Sequence, residues 1–106
     1  MRAFRRFEMN AELLGCMEDH GRIWHLQGRT AEAVRLYAAM EAARERLVLR
    51  RRARHEHRWR SDVAAARAAI GDEAFDAAWA EGEGWSLDAA IRYATTAAPA
   101  PAATGD

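Results

Sequence analysis

A chain of 106 residues, half of them apolar, makes at most one small domain, and because alanine supplies much of that fraction the core must rest on four Trp, three Phe, two Tyr and a few aliphatics. The single cysteine excludes an internal disulfide and fits a reducing compartment, and no apolar run approaches the roughly 20 residues needed to span a bilayer, so a cytoplasmic location without membrane contact is expected. Net charge is zero, yet unevenly spread: nine arginines lie between Arg44 and Arg67, whereas beyond Arg67 only Arg92 faces seven acids from Asp72 to Asp106.

The first residues carry Phe4 and Phe7 three apart among Arg2, Arg5 and Arg6, a spacing that suits turns of an amphipathic helix. From residue 11 to residue 27, Leu13, Met17, Gly21 and Trp24 recur at three to four residues and predict one helical face, which Gly28 ends. Thr30 opens a second helix with a buried stripe of Ala33, Val34, Tyr37, Met40 and Leu47 and with Glu32, Arg35, Glu41 and Arg44 outward. The two form an antiparallel hairpin. Residues 44–60 hold no Gly or Pro, so a short break near residues 48–52 and a nearly continuous helix both remain open.

Trp59, Val63, Ala66 and Ile70 then mark one face of a longer helix that runs to Gly71. Gly71 is expected to close it in a left-handed conformation, with Asp72 as the N-cap of the next helix. Phe75 and Trp79, four apart, share a face of that helix, Trp79 being expected in the core so that its replacement by Ala costs about 3–5 kcal/mol. Gly82 and Gly84 stop it. Ser86 caps a last short helix bearing Leu87 and Ile91. The residues from 95 to 106, rich in Thr, Ala and Pro, read as a disordered tail after a domain of residues 1–94.

The set Gly71, Phe75, Ala78, Trp79, Gly82, Ser86, Leu87 and Ala90 resembles the closing segment of the helical-repeat region of large bacterial ATP-dependent transcriptional regulators of the STAND, LuxR and MalT-like type. A similar tail occurs on some ATPase-coupled nucleotidyl cyclases. Gly84 and Trp85 depart from that pattern. The hairpin in turn resembles a tetratricopeptide repeat: Gly21 and Ala33 stand at the small crossing positions, Trp24 and Tyr37 at the aromatic ones and Gly28 at the turn, whereas Met17, Met40 and Glu45 depart from it. The resemblance implies an all-α fold: a TPR-like antiparallel hairpin, a longer helix and two short capping helices that close a stack. It implies a non-catalytic interaction or regulatory scaffold module, with Gly21, Trp24, Ala33, Tyr37, Phe75, Trp79, Leu87 and Ile91 as packing and interaction residues. The partner would be another protein or preceding repeats, received on a side lined by Phe4, Phe7, Leu13 or Met17. In isolation such a chain self-associates or leaves an apolar patch there.

Chemistry points the same way. Gly15, Gly21 and Gly28 form no phosphate loop, His55 and His57 point to different sides of a helix, and His20 and His25 are poorly spaced for one ion, so no cofactor or metal is expected. Cys16 lies one turn from His20, but no third group orients the histidine and a core cysteine is the preferred reading. The alternative function is a small nucleic-acid-binding accessory protein using Arg50, Arg51, Arg52, Arg54 and Arg58, against which the acidic end weighs.

Overall fold

The computed structural model describes the backbone of residues 2–97 and the side chains of residues 10–95. Among these residues the chain is all-α, with five helices: α1 (Arg2–Leu26), α2 (Thr30–Leu47), α3 (Ala53–Ile70), α4 (Asp72–Glu83) and α5 (Leu87–Ala97). α2 is the axis. It packs against each of the other four helices, and Ala33, Val34, Leu36, Tyr37, Ala38, Ala39, Met40 and Ala43 are all buried, so its buried surface is far wider than the single stripe expected. Leu47, placed in that stripe by periodicity, is exposed at the C-terminal end.

α1 and α2 form the antiparallel hairpin, as the pairings of His25 with Thr30, Gly21 with Tyr37 and Glu18 with Arg44 show. Gly28, at φ +87°, closes α1: the Arg29 N–H donates to the Trp24 carbonyl and the Gly28 N–H to that of His25, the paired bonds of a Schellman turn. Thr30 does not cap α2. Arg29 occupies that position, and the Thr30 hydroxyl instead shares a 2.9 Å hydrogen bond with His25 Nδ1.

The break between α2 and α3 is real and is made without glycine. Val48 adopts the left-handed conformation (φ 56°, ψ 48°), its N–H reaching the Glu45 carbonyl and the Leu49 N–H that of Arg44, the same Schellman geometry. Burial of Leu49 holds this turn while Val48 itself faces solvent. A β-branched residue is strained there. Val48→Gly is expected to raise stability by about 1 kcal/mol, read as a higher denaturation midpoint at unchanged slope.

Gly71, at φ +89°, is both the end of α3 and the N-cap of α4. Asp72 is the first helical residue rather than a cap, and its carboxylate accepts from Arg67 at 3.0 Å. Gly82 does not stop α4. It is a buried helical residue lying against α2, where an added Cβ would sit 2.7 Å from the Arg35 carbonyl carbon. Small size, not turn geometry, is what this position requires. Ser86 does cap α5, its Oγ accepting from the Ala89 N–H at 3.1 Å. α5 continues to Ala97 instead of ending at residue 94; the rest of the expected tail lies outside the described residues.

Two groups of rings fill the spaces around α2. Tyr37, Trp59, Trp79 and Phe75 follow one another at centroid distances of 5.2, 6.4 and 5.5 Å. His20, Trp24, Tyr93 and Trp85 make the other, at 4.8, 5.6 and 4.6 Å. Trp24 and Tyr37 are wholly enclosed, whereas Trp79 is half-buried, so the large stability cost expected of Trp79 belongs more properly to Trp24.

Candidate interaction surfaces

Because α3 buries only Trp59 and Ala66 fully, it leans on the rest of the molecule along one edge. Between it and α4 lies an open groove of about 650 Å³, lined by Trp59, Val63, Ala64, Ala68 and Trp79 and by the charged Glu41, Arg60, Arg67 and Asp72. Trp79 and Val63 are half-buried and Ala64 and Ala68 exposed, so α3 contributes small side chains beside Trp59 and α4 adds the ring of Trp79. Such a floor lets a helix approach closely. The open shape suits a row of side chains better than an enclosed small molecule.

The second surface surrounds the loop from α2 to α3. Arg51, expected to be an exposed cation, is instead buried, with 4% of its side chain exposed. Its guanidinium contacts Glu18, Glu41 and Glu56 at 2.8, 2.9 and 3.3 Å and stacks 4.0 Å from the Trp59 ring centroid. Arg44, expected outward, gives Glu18 two further hydrogen bonds at 2.7 and 3.1 Å. Burial disfavours the Arg51 charge, but the bonds and fields of Glu18 and Glu41 outweigh it and the pKa is raised. Glu56 is held below the usual carboxylate range, first by its hydrogen bond from Arg60 and also by Arg51. This knot ties α1, α2, the loop and α3 together. It leaves Arg51 little surface with which to meet a nucleic acid. Arg50, Arg52, Arg54 and Arg58 stay exposed.

Of the expected packing residues, Gly21, Trp24, Ala33, Tyr37 and Phe75 are buried, and Trp79, Leu87 and Ile91 pack half-buried against the core. Tyr37 lies against Gly21, where an added Cβ would meet its ring at 2.7 Å. Burial pushes its phenol pKa well above the ordinary value. Arg35, read as a solvent-facing residue, stitches three helices together, donating from Nε to Glu81 at 2.7 Å and from Nη1 to the Tyr93 hydroxyl at 3.2 Å. Phe4 and Phe7 lie outside the described side chains, while Met17 is buried and Leu13 half-buried, so these last two do not form an open apolar side. Among the described side chains of α1 the exposed large apolar residues are Ile23 and Leu26.

Cys16 is exposed, not core, and the His20 ring is engaged edge-on with Trp24. Among the described residues no group of three or more His, Cys, Asp and Glu side chains is arranged to hold a metal, and no helix is long and apolar enough to cross a membrane.

No family profile and no solved structure match this chain. Over 67 residues it is 43% identical to a Mycobacterium bovis protein named "Putative HTH-type transcriptional regulator" and, to the same extent, to proteins of that description in two strains of Mycobacterium tuberculosis. The aligned stretch covers 63% of this chain but 8% of each relative. The chain is therefore similar to a short segment of much longer proteins named as transcriptional regulators.

Proposed function

We propose that the chain is a non-catalytic, TPR-like interaction module of a LuxR or MalT-like regulator, working in the cytoplasm as a scaffold that receives another helix. The observation that carries this reading is the groove between α3 and α4, where Trp59, Val63, Ala64 and Ala68 of α3 share the lining with Trp79 of α4. Rings beside small residues are what helical-repeat units use to seat a neighbouring helix. The occupant is an amphipathic helix from an adjoining helical unit. The similarity to the mycobacterial regulators supports this, because there the matching segment is embedded in a far longer chain.

The test uses synthetic peptides tiled across the sequences that flank the matching segment in the Mycobacterium tuberculosis relative. A helical peptide from that set is expected to shift the indole N–H resonances of Trp59 and Trp79. Ala64→Glu with Ala68→Glu, at exposed positions that leave the fold intact, should abolish the shift by placing charge on the groove floor. If no flanking peptide moves these resonances, or if the shift survives the double substitution, the groove is not the docking site.

A further inference from the structure

Two sets stand out among the described arginines. Arg22, Arg29, Arg35, Arg44, Arg51, Arg60 and Arg67 each meet at least one carboxylate within 4 Å. Arg50, Arg52, Arg54 and Arg58 have no hydrogen bond or ion pair among the described residues, and all four lie in the loop and first turns of α3. Arg50, Arg52 and Arg58 line one wall of a cleft of about 510 Å³ between α3 and α1, together with His55. Arg54 lies one turn before Arg58 on the same helix. The N-terminal end of α3 has no side-chain cap, so its free N–H groups add to the positive field.

We propose that these four arginines form a docking surface for an acidic protein segment, a helix carrying carboxylates one turn apart. Charge complementarity is the reason. The chain as a whole is neutral, yet Arg50, Arg52 and Arg54 have no acidic partner among the described residues and Arg58 meets only the field of Asp62, while Glu73, Glu83 and Asp88, elsewhere on the fold, also have no ion pair among the described residues. Side chains with no hydrogen-bonded counter-charge are already positioned for a partner's carboxylates and require no internal pair to be broken. The Arg51 knot fixes the loop that presents them.

The same cleft argues against a nucleic acid. Glu12 and Asp19 of α1 line its other wall and Asp62 lies one turn beyond Arg58 on α3 itself, so a continuous phosphate backbone laid across the cleft meets carboxylates, since charges act over about 8 Å at physiological salt. A short acidic helix lying over the loop and the first turn of α3, at Arg50, Arg52 and Arg54, meets cations before it reaches Asp62.

The probe is a fluorescein-labelled helical peptide with glutamate at every fourth position, compared with its glutamine counterpart and with a short single-stranded DNA, all followed by fluorescence anisotropy. The glutamate peptide should bind, the glutamine peptide should not, and affinity should fall as salt rises from about 50 mM to about 200 mM. The variant R50Q/R52Q/R54Q/R58Q should lose about tenfold or more in affinity with its thermal melt unchanged, all four side chains being exposed. Arg46→Gln, which removes an exposed arginine outside the arc, should bind as the parent does. Absence of peptide binding, equal binding by the fourfold variant, or tighter binding of the DNA through the same four arginines would each overturn the proposal.

Discussion

Gly82→Ala is expected to destabilise the chain by about 3 kcal/mol or to prevent folding, because the new methyl group would enter the backbone of α2 at Arg35. Backbone cannot rotate aside as a side chain can, so relief requires α4 to separate from α2 and Phe75 and Ala78 to lose their contacts. The other helical glycines provide the scale. At Gly21 the added atom meets only the Tyr37 ring, which can shift at moderate cost, and at Gly15 it meets nothing within 4 Å. Gly15→Ala should therefore stabilise α1 by up to about 1 kcal/mol. Denaturant melts should rank the three substitutions in that order, and a Gly82→Ala protein as stable as the parent would mean that α2 and α4 do not cross so closely.

Arg51→Ala should cost about 3 kcal/mol. The substitution leaves Glu18 shielded from water with Arg44 alone, uncovers one face of Trp59 and releases Glu41 and Glu56, which are each about one-third exposed and rehydrate in part. Arg51→Lys should recover less than half of the loss, since an ammonium cannot span three carboxylates and lie flat on the indole. Equal stability of the lysine variant and the parent, by denaturant melt, would reduce the knot to simple charge balance. The buried guanidinium also explains why the basic run cannot be taken as a single surface: one member holds the loop together while its neighbours on either side face water.

Local features were readable where local chemistry decides them. Gly28, Gly71 and Ser86 sit at helix junctions because a positive φ or a hydroxyl acceptor is needed there, and such needs are visible within a few residues. The all-α character and the hairpin follow from spacing in the same way. Gly82 departs from its expected role as a helix stop for a physical reason: a glycine required for close approach and one required for a turn look alike until the second helix is in place. Val48 gave no signal at all, since its left-handed backbone is imposed by burial of the next residue. The Arg51 knot joins Glu18 to residues 26 and 33 positions away, a separation that no helical period encodes. The groove itself depends on how far α3 leans from α4, and its key ring, Trp59, was marked only as one member of an apolar face.

The architecture rests on α2 as the buried axis on which the other four helices pack. Native-state hydrogen exchange, resolved by residue, tests this most directly. The amides from Val34 to Ala43 should exchange only through global unfolding and be the slowest in the chain, with those of α3 and α5 opening earlier through local fluctuations. If the α2 amides exchange as fast as those of α3, or open before those of α1 and α4, then α2 is not the axis and this account of the fold fails.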